Sequence, residues 1–153
     1  GRIIQNSSVL GFVALPFRGA YNASKYAIEG LSDTLRLELQ GSNIHVSLIE
    51  PGPIASQFRT NAVKALSKYI DIANSFHRER YQGVLNRLNK PGPAVPFTLP
   101  PEAVLERVIH ALEASRPQAR YYVTFPTHLF GLLKRILSTR ALDVLLAKSG
   151  NNN

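Results

Sequence analysis

The chain has 153 residues, 44% of them hydrophobic, so it is long enough to bury a core, and we expect one domain over residues 1–150. It has no cysteine, which excludes disulfide and thiolate chemistry, and its apolar runs are too short to span a bilayer. The formal net charge is +8, but the arginines are dispersed and no basic run is interleaved with aromatic residues, which argues against a nucleic-acid partner. Cytoplasm is the default location.

The first part of the chain predicts a strand, a helix and a second strand. The stretch "RIIQNSS" starts with β-branched residues and ends in polar turn formers, as a buried parallel strand does. Gly41 then follows a helical pattern whose apolar residues repeat every four positions, with Ile28 beside them: Ala23, Ala27, Leu31, Leu35 and Leu39. "NIHVSLIEPGP" predicts a strand that ends at Pro-Gly. This order predicts an α/β fold with a doubly wound parallel sheet.

The second part predicts another crossover and a helical tail. Residues 54–89 predict a polar loop-and-helix insertion, which the proline-rich "PGPAVPFTLPP" ends. "PEAVLERVIHALEAS" predicts a helix with Val104, Val108 and Leu112 on one face, and "ARYYVTF" predicts a third strand. "HLFGLLKRILSTRALDVLLAKSG" predicts an amphipathic helix or helix pair, and "GNNN" a frayed end.

Neither the carboxylates of the long helix nor the histidines are expected to form a functional site. Glu29, Asp33 and Glu38 on the long helix are expected to be solvated on its outer face. The histidines are widely separated and lack metal-ligand spacing, so no metal site is expected.

Tyr21 and Lys25 are four residues apart, so their side chains lie on one face of the predicted helix. A phenol has an ordinary pKa near 10, and a neighbouring ammonium favours its charged form, which suits a general acid/base. A serine at the exit of the preceding strand, Ser7 or Ser8, could hold a substrate oxygen against the phenol. The alternative is a common surface pair and a serine turn.

Three segments together resemble one family. "YNASK" resembles the Tyr-x-x-x-Lys signature of the short-chain dehydrogenase/reductase family, "GRIIQNSSVLG" resembles the strand with its catalytic serine, and "IEPGPIAS" resembles its Pro-Gly motif. The resemblance implies a Rossmann-like fold and hydride transfer between a nicotinamide cofactor, NADP or NAD with NADP slightly favoured, and an alcohol or carbonyl compound.

The same resemblance assigns site residues. The family's serine lies thirteen residues before its tyrosine, which selects Ser8 over Ser7. Tyr21 is then the proton donor and acceptor, Ser8 orients the substrate oxygen, and Lys25 tunes the phenol and holds the nicotinamide ribose. Tyr21 itself borders the cofactor. The residues implied to border the nicotinamide or contact other parts of the cofactor are Pro51, Gly52, Ile54 and Ser56.

The region after Pro-Gly covers the substrate in the family. Its apolar residues here predict either core packing or a cleft for a lipophilic alcohol or carbonyl substrate: Phe58, Ala62, Leu66, Tyr69, Ile70 and Phe76. The resemblance further implies a homodimer or homotetramer when the protein is full length. Leu31, Leu35 and Leu39 are expected either to form that contact or to pack on the sheet.

One departure from the family is large. The sequence has no G-x-G-x-x-G-like turn to receive a pyrophosphate. The chain is therefore expected to be the C-terminal half of such an oxidoreductase, inactive by itself.

A rival interpretation makes the protein a non-catalytic lipid- or membrane-surface-binding module. It rests on the basic amphipathic tail, which contains Lys134, Arg135, Arg140 and Lys148. The apolar residues of this tail are Leu132, Leu133, Ile136, Leu145 and Leu146.

Overall fold

Three parallel strands form a sheet in the computed structural model, which describes residues 1–92 and 95–151. The strands are β1 (Arg2–Asn6), β2 (His45–Glu50) and β3 (Arg120–Tyr122). The helices are α1 (Gly19–Glu38), α2 (Phe58–Tyr69), α3 (Arg78–Leu88), α4 (Glu102–Glu113), α5 (Phe125–Ile136) and α6 (Thr139–Asn151). Residues 93–94 of the proline-rich segment and 152–153 of the predicted frayed end lie outside the described residues.

The sheet has the order β1-β2-β3, with Ile4 opposite Ser47 and Ile49 opposite Tyr121. Strand β2 is central, and its residues from Val46 to Glu50 are all buried, which explains its nearly continuous apolar run. Both connections between neighbouring strands contain helices, so the predicted α/β fold is confirmed.

Helices cover both faces of this sheet. On one face, Ile49 and Tyr121 pack with Ala111 of α4. On the other face, Arg120 reaches carboxylates of α1, so the doubly wound arrangement is confirmed. The strands advance in one direction across the sheet while α1 and α4 lie on opposite faces. The two crossovers therefore have opposite hands, and one departs from the right-handed rule.

Helix α4 uses a slightly different face from the predicted one. Val104 and Val108 pack on the sheet, as predicted, but Leu112 is 52% exposed. Ala111 is buried in its place, in the cluster with Ile49 and Tyr121.

Helix α1 reverses the predicted orientation of its faces. Its buried residues are polar, namely Asn22, Glu29 and Ser32, whereas Leu31 is 56% exposed. The expectation of solvation is wrong for Glu29, which is buried and binds Arg120 of the sheet; Asp33 also binds Arg120, but its side chain remains 43% exposed. The alternative in which Leu31 packs on the sheet is also wrong. The inward-facing residues Glu29 and Ser32 continue the helical stripe that begins with Tyr21 and Lys25. This stripe consists of polar residues.

The C-terminal tail is a helix pair, one of the two predicted alternatives. Leu146 of α6 packs with Leu10 and Val13, which follow β1. Within the described residues, no helix has the length and apolar character needed to cross a membrane.

The predicted insertion consists of α2 and α3, neither of which has a buried residue. Arg59 of α2 donates hydrogen bonds to the carbonyls of Arg87, Lys90 and Gly92 at 2.7–2.8 Å. These carbonyls lie at the end of α3, where a cation is favoured. The core alternative is wrong for Phe58, Tyr69 and Phe76, which are exposed.

Candidate active site

Ser8 lies just past the carboxyl end of β1. Its extended backbone caps a short 3-10 turn, and its Oγ accepts a hydrogen bond of 3.1 Å from the Leu10 N–H. The Ser8 Oγ also lies 3.5 Å from the carbonyl oxygen of Pro51, which accepts a shorter bond of 2.8 Å from the Val9 N–H. Ser8 is thus held at the point where β1 and β2 both end, next to the Pro-Gly turn.

Lys25 reaches the same edge from α1. Its Nζ donates a hydrogen bond of 2.8 Å to the carbonyl of Asn6, the last residue of β1. The Nζ lies 5.7 Å from the centre of the Tyr21 ring, as the spacing of four residues requires. Partial burial lowers the pKa of Lys25. The structure therefore brings Lys25 next to both the strand end and Tyr21.

Tyr21 is half-buried against the turn that follows Ser8. It packs against the apolar cluster of Leu10, Val13 and Leu146, and its ring meets the Phe58 ring edge-on at 5.3 Å between centres. Among the described residues, the Tyr21 hydroxyl has no hydrogen-bond partner. The ring is fixed by apolar contacts while the hydroxyl remains available for chemistry.

Gly52 allows the turn after β2 to pack tightly. A Cβ at this position would lie 2.7 Å from the Thr127 Oγ1 and closer still to the Thr124 Oγ1. These two threonines are fully buried, and their hydroxyls share a hydrogen bond of 3.0 Å. Only glycine fits without moving the buried pair.

We expect Gly52→Ala to lower the free energy of unfolding by about 1–3 kcal/mol, because the methyl group overpacks this contact. Gly83→Ala is the matched control: Gly83 lies within α3 with open space around it, so alanine should stabilise the protein by about 0.5–1 kcal/mol. Denaturant unfolding measures both. An unchanged stability in Gly52→Ala would contradict the tight packing described here.

The remaining residues assigned to the cofactor lie on the segment after Gly52. Ile54 forms a parallel bridge with Leu99, which anchors the segment. Ser56 is exposed, and its Oγ accepts a bond of 3.3 Å from the Phe58 N–H at the start of α2. The structure thus brings Pro51 and Gly52 next to Ser8 and holds Ile54 and Ser56 on the connection to α2.

A loop that the sequence did not single out borders Tyr21. Phe17 has a left-handed backbone (φ 60°), a strained conformation for a bulky residue, and its ring contacts Tyr81 of α3 at 5.5 Å. Burial lowers the pKa of the adjacent Arg18, and a nearby Arg87 lowers it further. The loop ties the start of α1 to the insertion.

A cluster of charged groups lies beneath α1, and we call Ser7, Glu29, Asp33, Glu50 and Arg120 the Arg120 cluster. The Ser7 hydroxyl donates to Glu29 Oε1, and Arg120 Nη1 donates to Glu29 Oε2. Arg120 Nη1 also binds Glu50 Oε1 at 2.6 Å, and Nη2 binds both oxygens of Asp33 at 2.9 Å. One guanidinium therefore serves three carboxylates.

Glu50 is fully buried, and burial together with the neighbouring Glu29 raises its pKa to about 8. Its Oε2 makes no hydrogen bond to the described residues. With three carboxylates around one cation, a protonated Glu50 relieves the repulsion within the cluster.

This pKa has a consequence for stability. The folded protein holds a proton on Glu50 from about pH 4.5 to about 8, whereas the unfolded chain loses it near 4.5. The free energy of unfolding should therefore fall as the pH rises through this window, by up to roughly 1.4 kcal/mol per pH unit. Glu50→Gln should flatten that slope, and Glu113→Gln, at an exposed site, should leave it unchanged. Equal slopes for wild type and Glu50→Gln in denaturant titrations would contradict the assignment.

The Arg120 cluster is the main feature that the sequence interpretation missed. Two signals were present: Glu50 ends an otherwise apolar buried strand, and a carboxylate there requires a partner. The polar residues of α1 also recur at helical spacing after Lys25, namely Glu29, Ser32 and Arg36. Within residues 1–92 and 95–151, no group of three potential ligands could hold a metal ion.

Comparisons with known proteins find relatives in both sequence and fold. A family model described as short chain dehydrogenase matches residues 1–67, which include Ser8, Tyr21, Lys25 and the Pro-Gly turn. The chain is 44% identical to the uncharacterized oxidoreductase YbbO of Escherichia coli K12, over 95% of this chain and 48% of that protein. It is 35% identical to human 17-beta-hydroxysteroid dehydrogenase type 1, over 81% of this chain and 37% of that protein.

Among solved structures, the chain resembles a short chain dehydrogenase from Burkholderia cenocepacia J2315 in complex with NADP. The TM-score is 0.63 at 21% identity, over 95% of this chain and 47% of the other, so this likeness concerns the fold. The chain spans about half the length of the curated relatives it matches. Its matches in sequence show that it belongs to the short-chain dehydrogenase/reductase family, and it aligns with about half of such a protein.

Proposed function

We propose that the protein is an NAD(P)-dependent oxidoreductase that interconverts an alcohol and a ketone or aldehyde. The observation that carries the proposal is the meeting of three side chains at the ends of β1 and β2. Ser8 lies against Pro51, Lys25 binds the Asn6 carbonyl, and Tyr21 packs on the turn after Ser8. The similarity to YbbO and to a hydroxysteroid dehydrogenase supports the same reaction class.

Each residue has a defined task in carbonyl reduction. The Ser8 hydroxyl donates a hydrogen bond to the carbonyl oxygen and orients it toward Tyr21. The Tyr21 hydroxyl gives its proton to that oxygen while the carbon accepts a hydride, and in oxidation it takes the proton back. The dinucleotide supplies or accepts the hydride. The apolar contacts of the Tyr21 ring keep its hydroxyl in one place during this transfer.

The residues at this edge of the sheet fit the nicotinamide end of NADP or NAD. Lys25 uses one of its three N–H donors on Asn6, and its remaining donors have no partner among the described residues, so they can bind ribose hydroxyls. Pro51, Gly52 and Ile54 provide a firmly packed wall, and the exposed Ser56 hydroxyl provides a polar contact. The Burkholderia structure, which contains NADP, supports this choice of cofactor.

A lipophilic substrate is the second part of the proposal. Phe58 contacts Tyr21 and is 51% exposed, and Tyr69 and Phe76 expose still more of their rings on the insertion. Phe58 is the aromatic residue in contact with Tyr21, and an exposed aromatic side chain beside the proposed proton donor favours an apolar ligand. The resemblance to a hydroxysteroid dehydrogenase points the same way.

The membrane-surface alternative is weaker in the folded chain. Lys134 donates to the Phe12 carbonyl and lies 5.2 Å from the Tyr26 ring centre, and Leu146 is buried in the core. Two residues that supported a lipid-facing tail are thus used within the fold. Leu132 and Ile136 of α5 remain exposed beside Arg135.

The proposal includes a homodimer or homotetramer with α1 in the contact. The exposed Leu31 and Leu37 support it, because they lie on the solvent side of a helix whose inner side is polar. Sedimentation analysis of the protein as encoded by its gene measures the assembly.

The proposed reaction is tested by following NADPH or NADH consumption by the protein as encoded. Apolar aldehydes and ketones, including steroid ketones and retinal, form the panel, and short polar carbonyl compounds form the comparison set. We expect turnover of at least one apolar carbonyl compound and a lower kcat/KM for the polar set. No turnover with either dinucleotide across the panel would contradict the proposal.

A further inference from the structure

The Arg120 cluster lies directly behind the segment that carries Ser8. Ser7 precedes Ser8 and is buried, and its hydroxyl donates to Glu29. Strand alternation sends the two serine side chains to opposite sides of the backbone, so Ser8 faces the strand ends while Ser7 faces α1. The backbone between them is fixed by hydrogen bonds from Ser7 N–H to Ile49 O and from Val9 N–H to Pro51 O, both 2.8 Å.

The turn after Ser8 rests on the same pair. A Cβ at Gly11 would lie 2.6 Å from the Ser7 Oγ and 2.9 Å from the Glu29 side chain, so Gly11 is in close contact with both. Glu29 therefore contacts the chain on both sides of Ser8: the Ser7 hydroxyl precedes Ser8, and Gly11 follows it. Arg120 fixes the second carboxylate oxygen of Glu29 and so leaves that carboxylate one orientation.

A buried ion cluster is a poor way to gain stability. Apolar residues of similar volume often replace such clusters without loss, because burying charges costs about as much as their attraction returns. A carboxylate that bridges a serine hydroxyl and a guanidinium does something that apolar packing does not: it fixes direction. Because the cluster lies behind Ser8, it favours a role in setting the direction of this segment over a role in stability alone.

We propose that Glu29 is a positioning residue for Ser8, acting through Ser7 and held in place by Arg120. Glu29 holds the Ser7 hydroxyl, and this contact fixes the backbone at Ser7. The backbone in turn sets the direction of the Ser8 Oγ. Small displacements of groups that orient a substrate reduce the rate of the chemical step more than they reduce binding. This inference rests on the proposed oxidoreductase function.

The test compares Ser7→Ala, Glu29→Gln and Asp33→Asn in the protein as encoded, with a carbonyl compound that the wild type reduces. Ser7→Ala and Glu29→Gln should lower kcat by roughly 10- to 100-fold, with little change in KM or in dinucleotide affinity. Asp33→Asn removes another Arg120 partner without touching Ser7, so it should lower the melting temperature and keep the wild-type kcat. Glu38→Gln, at an exposed site on α1, should change neither.

The outcomes separate the inference from the function on which it rests. No wild-type turnover contradicts the proposed function and this inference together. Wild-type turnover with unchanged kcat in folded Ser7→Ala and Glu29→Gln contradicts the inference alone. A loss of kcat in Asp33→Asn as large as that in Glu29→Gln would also overturn it, since the cluster would then act through general stability.

Discussion

Tyr21→Phe should slow turnover by about 10² to 10⁴, because the substitution removes the hydroxyl that transfers the proton and keeps the ring. The ring, which meets Phe58 and lies against the Leu10, Val13 and Leu146 cluster, is retained, so the melting temperature should stay within about a degree or two of the wild-type value, a shift of roughly the size that surface substitutions cause. Dinucleotide affinity should change little. The measurement is steady-state oxidation of NADPH or NADH with the best apolar carbonyl compound.

Tyr26→Phe is the matched control for this experiment. Tyr26 lies on the same helix, is 41% exposed and contacts Lys134, away from Ser8. It should retain the wild-type rate. Wild-type turnover by Tyr21→Phe would remove Tyr21 from the reaction, whereas equal losses in both variants would point to a general effect on α1.

Arg120→Met should lower the free energy of unfolding by about 3–5 kcal/mol. The substitution keeps a long apolar side chain but leaves Glu29, whose side chain is only 9% exposed, as a carboxylate without its cation, and an unpaired buried charge is expensive. Denaturant unfolding at pH 7 measures the loss. Adding Glu29→Gln should restore part of the stability, because it removes the buried carboxylate that Arg120→Met leaves unpaired.

Arg116→Met is the control, since Arg116 is exposed and forms no ion pair with the described residues. It should change stability by no more than about 0.5 kcal/mol. A loss below about 1 kcal/mol in Arg120→Met would show that the cluster contributes little, and a loss independent of Glu29→Gln would show that the two groups are uncoupled.

Much of the fold could be predicted because the pattern of residues is local. The β-branched runs at Arg2–Asn6 and His45–Glu50, the helix between them and the Pro-Gly stop give a parallel strand-helix-strand unit directly. The Tyr21 and Lys25 pair could also be found from its spacing alone, because residues four apart on a helix share a face. The roles given to Ser8, Tyr21 and Lys25 stay predictions until they are measured.

Local patterns could not decide which face of α1 points inward. The helix has an apolar stripe with Ala23, Ala27 and Leu31 and a polar stripe with Lys25, Glu29 and Ser32, and either can be drawn against a sheet. The sequence pattern places the carboxylates in solvent, because a charged residue is rarely buried without a partner. That partner, Arg120, lies 91 residues from Glu29 in the chain.

The sequence by itself thus determined the strands, the helices and the offset of Tyr21 from Lys25, since these depend on neighbours along the chain. Only the tertiary structure decided that α1 buries its polar stripe and that Ser7 binds Glu29. It also decided that Thr124 and Thr127 fill the space beside Gly52. The physical reason is that burying a charge or omitting a side chain depends on groups brought together from distant strands, and these meet only when the sheet has assembled.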